Sequence, residues 1–142
     1  MSPIRRLRIE YALIDIDGDD HPEVWVRGDE GQYYQGVYSV VNDSVTLLAS
    51  SDVRSELIFY KGAVGFGGYY GDGLSRKGFT TLRNSRPVDW YFNEDKYSAE
   101  TEETIYSNMT KNGEDISEAE WEKAEQLLGD PISVTPAWRP IE

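Results

Sequence analysis

Asp15, Asp17 and Asp19 stand at alternate positions of the stretch DIDGDDHPE, residues 15–23, and Glu23 closes it. Five of these nine residues carry carboxyl groups. Like charges held a few ångströms apart repel, and water screens them only in part. A divalent cation turns that repulsion into attraction. Alternate residues of a turning loop direct their side chains inward, and His21 offers its backbone carbonyl. The expected ligand set is therefore Asp15, Asp17, Asp19, the His21 carbonyl and Glu23, with a water or Asp20 completing the shell. Hard oxygen donors of this kind suit Ca²⁺, which takes roughly six to eight of them at about 2.3–2.6 Å, whereas Mg²⁺ demands a tighter octahedron. His21 is the only histidine and there is no cysteine. A multi-histidine zinc or iron centre and any thiolate site are thereby excluded.

The spacing departs from an EF-hand. Its sixth position is Asp20 where that motif has glycine, its twelfth is Val26 where that motif has glutamate, and no helix signal flanks it. A strand–loop–strand calcium site closed by Glu23 is the expectation, with Gly18 and Pro22 as turn residues. The competing reading is a plain acidic hairpin loop facing water.

Other chemistry is less marked. GFGGYYGDGLSRKG, residues 65–78, is glycine-rich, but Lys77 is followed by Gly78 and no helix follows, so it is not a phosphate cradle. It reads as a flexible hairpin or binding loop. Tyr69, Tyr70, Asp72, Arg76 and Lys77 form its possible ligand surface, since Tyr and Arg are common at recognition surfaces. Asp89, flanked by Val88 and Trp90, is a conceivable perturbed acid, with a salt bridge to Arg86 as the plainer expectation. No carboxylate pair is singled out for glycosidase work. A serine triad lacks both G-x-S-x-G and a free histidine base.

The elements around the loop read as strands. Residues 9–14 enter it and 23–27 leave it. YYQGVYSVV (33–41) and VTLLAS (45–50) alternate across the turn NDS as a hairpin. A second hairpin is expected at 56–60 and 63–68, and a third at 78–83 and 88–92, with a weaker strand at 103–110. The acidic run 98–104 reads as a solvated turn or strand edge. Of the aromatics Tyr33, Tyr34, Tyr38, Tyr60, Trp90 and Tyr91, core packing is expected for most. One helix is expected at 117–128, with Ser117 and Glu120 as a capping box, Ile116 and Trp121 as a staple, and Gly129 at its end. The tail 130–142 holds three of the six prolines and is expected to be extended. The fold class is thus mainly β, α+β at the margin. It is an antiparallel meander or sandwich-like sheet with one C-terminal helix, in a single β-rich domain over 1–142.

Bulk properties bound the partners. The chain has 142 residues and a formal net charge of −12. That charge repels nucleic acid and anionic lipid. No stretch approaches the roughly 18 apolar residues of a membrane helix, so no membrane insertion is expected. The start, MSPIRRLRIE, has no apolar signal-peptide core. A signal removed beforehand would leave the same trace, so export stays open.

The stretch LIDIDGDDHPEVWV resembles the D-x-D-G-D-x-x-P-E-L signature of uncharacterised bacterial surface and secreted proteins, and the calcium loops of FG-GAP, VCBS and dockerin-like modules. The usual pattern has Gly where Asp20 stands, and FG-GAP loops end in Asp where this one ends in Glu23. The resemblance implies calcium and an extracytoplasmic setting (periplasm, cell surface or secreted), and it carries no catalytic activity. The motif occurs once, which argues against a propeller. The expected function is a calcium-binding, non-catalytic β domain, serving as a binding or structural module with an unknown protein or glycan ligand. The alternatives are a hydrolase on glycans or peptides with a structural calcium, and a cytoplasmic, metal-independent interaction protein.

Overall fold

A computed structural model describes residues 8–32 and 34–141. The basic start and Tyr33 lie outside the described residues. Two antiparallel sheets and one helix make three layers. The first sheet contains β1 (Ile9–Ile14), β2 (Glu23–Gly28), β3 (Gln35–Val41) and β4 (Ser44–Ser51) in chain order. The second contains β5 (Ser55–Tyr60), β6 (Ala63–Tyr69), β7 (Leu74–Arg83), β8 (Arg86–Ser98), β9 (Glu103–Lys111) and β10 (Glu114–Asp115), again in chain order. Strands β1 to β4 and β5 to β10 each form a meander, because strands consecutive in the chain are neighbours in the sheet. The fold is mainly β with one helix, as the alternation and turn signals imply.

The core follows from strand alternation. Ile14, Val37, Leu48 and Ala49 of the first sheet meet Phe59, Val64 and Leu82 of the second, with Ile16 from the acidic loop among them. The other face of the second sheet carries α1 (Glu118–Leu128), which seats Trp121 and Ala124 against Phe79, Tyr91, Met109 and Ile116. Ser117 caps the helix by accepting from the Glu120 N–H at 3.1 Å. Gly129 ends it at φ +72°.

Of the two readings of segment 65–78 the hairpin holds and the loop does not: β6 and β7 pair from Ala63↔Thr81 to Tyr69↔Ser75, leaving only a tight turn between them. Gly65, Gly68 and Gly78 serve close packing. A Cβ on Gly65 would lie 2.3 Å from the Gly78 carbonyl oxygen. The aromatics in question are less buried than expected. Trp90 is 49% exposed and Tyr34 43%, while the core is built from aliphatic residues with Phe59, Phe79 and Trp121. Finally, Asp89 does not pair with Arg86 among the described residues. It accepts from Asn112 Nδ2 at 2.9 Å and faces Lys111 Nζ at 4.0 Å.

The extended tail closes the sandwich. Ile132 bridges to Phe59 on the edge of the second sheet, and β11 (Arg139–Pro140) pairs with β1 on the edge of the first. Between them Trp138 stacks edge-on to Trp25 at 4.8 Å and lies under the Arg27 guanidinium. Thus two edge strands gain cover from one segment. Among the described residues, no helix is long and apolar enough to cross a membrane.

Candidate metal centre

The acidic loop joins β1 to β2, whose register runs Ile9↔Gly28 to Ile14↔Glu23. It is anchored at its base. The amide of Gly62, in the turn between β5 and β6, donates to the Ile16 carbonyl at 2.9 Å. Ile16 itself is buried in the core. Beyond it the chain turns tightly at Gly18 (φ +73°) and Asp20 (φ +63°). Asp20 therefore adopts the left-handed conformation that glycine takes at lower cost. Asp15 supports the turn by accepting from the Gly18 and Asp20 amides, each at 3.0 Å.

Asp15, Asp17 and Asp19 come together, with one carboxylate oxygen from each lying within 4.8 Å of the others. Asp17 Oδ1 is buried and accepts no hydrogen bond among the described residues. Asp17 Oδ2 accepts from the Ser85 amide at 2.8 Å. The His21 ring turns outward, with Nε2 at 2.9 Å from the Val40 carbonyl, and leaves the His21 carbonyl facing Ser85. Glu23 stands apart from the triad. It is fully buried at the base of the loop, where Oε1 accepts from the Ile16 amide at 3.2 Å. Asp20 is exposed and brings no side chain to the cluster among the contacts described.

Ser85 is the residue that sequence reasoning missed. It lies in the two-residue turn between β7 and β8, at φ +63°, and is 1% exposed. Its hydroxyl lies 2.6 Å from Asp19 Oδ2, 3.0 Å from the His21 carbonyl and 3.2 Å from Glu23 Oε2. Four of the five expected ligands therefore converge on this one residue. A hydroxyl has a single proton to give, and the shortest contact assigns it to Asp19. The contact with Glu23 is then favourable when the Glu23 carboxyl is protonated and donates to Ser85 Oγ.

The electrostatics agree with that arrangement. Burial pushes the Glu23 carboxyl up to about 7 from its usual 4.5, and the nearby Asp17 and Asp19 charges add to the rise. The Ser85 hydroxyl holds Asp19 below the ordinary carboxylate range. Neighbouring acids thus have opposite tendencies because one is dry and the other receives hydrogen bonds.

The glycine-rich segment brings Tyr70 to Arg76 but does not gather all of its expected surface residues on one face. Successive strand residues face opposite ways, so Arg76 and Lys77 lie on opposite faces of the second sheet. Arg76 pairs with Glu94 at 2.6 Å and lies over the Tyr70 ring, whereas Lys77 lies near Glu125 of the helix. Tyr69 and Asp72 sit at the turn, where the Tyr69 hydroxyl accepts from the Gly73 amide and Asp72 pairs with Lys96. Comparison of the chain with known protein families, with curated proteins and with solved structures found no match.

Proposed function

We propose that this protein is a calcium-stabilised β domain whose acidic loop binds one Ca²⁺ and ties the two sheets together. The observation that carries this reading is Asp17 Oδ1, a buried carboxylate oxygen without a hydrogen-bond partner beside two further aspartates. A buried charged oxygen left unpaired costs free energy. A hard cation satisfies it and offsets the mutual repulsion of the triad. Asp15, Asp17 and Asp19 would supply side-chain oxygens, with the His21 carbonyl and Glu23 adjoining through Ser85.

The domain would act without catalysis, as a binding or structural module of an envelope or secreted protein. Calcium outside the cell is abundant enough to fill a site of about 10⁻⁴–10⁻³ M affinity. Support for that setting is the resemblance of the DIDGDDHPE stretch to loops of surface and secreted proteins.

A metal-independent reading is favoured by one observation: Ser85 already donates to Asp17 and Asp19. The loop would then be a hydrogen-bonded latch. Isothermal titration of the chelator-treated protein with CaCl₂ separates the two. The calcium reading expects one saturable site that Asp17→Asn weakens by at least tenfold. An absence of binding at millimolar calcium would leave the latch alone.

A further inference from the structure

The face of the second sheet that carries α1 also holds a cleft of about 740 Å³, formed by other residues than those of the acidic loop. Two rungs of the ladder line it: Lys77–Asn93–Met109 and Ser75–Asp95–Ser107. Alternation aims these side chains to the same side as Phe79 and Tyr91, on which Trp121 is seated. Polar residues here replace the apolar ones under the helix, so the sheet face changes from core to cleft within two rungs.

The polar residues are not satisfied by one another. Asn93 is 3% exposed, yet its Oδ1 accepts no hydrogen bond among the described residues. Its Nδ2 donates to Asp95 Oδ2 at 3.4 Å. Asp95 Oδ1 is buried and equally unpartnered. Two acceptors in this condition call for a donor. Both residues line the cleft, so a donor held there lies beside them.

Charge narrows the class of donor. Glu118 and Glu122 of α1 line the same cleft as Asp95, and none of the three forms an ion pair among the described residues. The lining cation, Lys77, is engaged by Glu125 at 3.6 Å. A neutral polyol would leave those carboxylates uncompensated. A compact metal ion is also disfavoured, because the acids sit on separate elements and only Asp15, Asp17 and Asp19 cluster tightly among the described residues. An extended cation with several N–H donors meets both demands.

We propose that the cleft between α1 and the Asn93–Asp95 stretch of β8 binds an organic ammonium or guanidinium group, presented by a free polyamine or by a Lys or Arg side chain of a peptide. The site is independent of the calcium loop. Calorimetric titration of the full chain, at low ionic strength, with spermidine, Gly-Lys-Gly, Gly-Arg-Gly and glucose tests it. Saturable binding of spermidine or of a tripeptide is expected, with little heat from glucose. Spermidine alone would identify a free polyamine, and tripeptide binding a side chain. Asp95→Asn should weaken the bound cation at least tenfold, and Glu122→Gln, on the exposed helix surface, several-fold even if Asp95→Asn fails to fold. Glu56→Gln, outside the cleft, should change nothing. The proposal is overturned if no cation binds at millimolar concentration, if glucose binds as well as the cations, or if Glu56→Gln weakens binding as much as the cleft variants, which would mark diffuse attraction to an acidic protein.

Discussion

Ser85 Oγ lies 2.6 Å from Asp19 Oδ2, across 66 positions of sequence and from one sheet to the other. Together with the Ser85 amide on Asp17, this contact makes the turn of the second sheet a lid on the acidic loop of the first. The loop therefore senses the packing of the sandwich as well as any ion it holds.

Removing the Ser85 hydroxyl should loosen that lid. Ser85→Ala takes from the Asp19 carboxylate the hydroxyl proton it accepts, at a cost of about 1–3 kcal/mol. The urea midpoint of the calcium-free protein should fall with its slope unchanged. Ser85→Gly loses the same contact but relaxes a backbone at φ +63°, so it should be the milder variant. Equal midpoints for Ser85→Ala and wild type would show the contact to be energetically neutral.

Calcium should raise the melting temperature of wild type and not of Asp17→Asn. At a hundredfold excess over the dissociation constant, one site adds about 2.7 kcal/mol. In EGTA, Asp17→Asn should melt at or above wild type, because it removes one charge from a crowded group. A melting curve indifferent to calcium and chelator alike would count against the ion.

The pH dependence follows from Glu23. Its carboxyl titrates at about 7 in the folded chain and near 4.5 ordinarily. The folded state thus retains a proton that the unfolded chain gives up in this interval. The stabilisation by the neutral form is complete below about 4.5 and is lost as pH rises through about 7. Without calcium, thermal scans between pH 5 and pH 8 should show a falling midpoint, and Glu23→Gln should flatten the fall. Calcium favours the carboxylate, so binding near pH 6.5 should release a proton, read as a heat that varies with the ionisation enthalpy of the buffer.

Trp121 anchors α1, being 2% exposed and packed against both Phe79 and Tyr91. Trp121→Ala should cost about 3–5 kcal/mol. Near-ultraviolet circular dichroism should lose aromatic signal while the strand signal in the far ultraviolet persists. It should leave calcium affinity within a few-fold, since the helix is packed on the face of the second sheet away from the first.

Local signals made most of the architecture legible. Alternating apolar residues place β1 and β2 on either side of the loop, and the cap Ser117, the pair Ile116 and Trp121, and Gly129 delimit α1 to within a residue. The glycine-rich stretch left hairpin and loop both open because glycine marks turns and close strand packing alike. Gly65 and Gly78 are in adjacent strands whose backbones approach too closely for a side chain, and that approach depends on the partner strand. Trp90 misled, since a strand residue's burial depends on what covers its face.

The chain's own order of residues determined the crowding of Asp15, Asp17 and Asp19, because a two-residue period and a tight turn bring their carboxylates together whatever lies around them. Tertiary structure alone decided that Glu23 would be dry and titrate high, that Ser85 would reach four of the five expected ligands, and that Asn93 and Asp95 would share a cleft with the helix. The physical reason is range: turns and alternation act over a few residues, whereas burial and the meeting of distant hydrogen-bonding groups exist only after two sheets and a helix have packed.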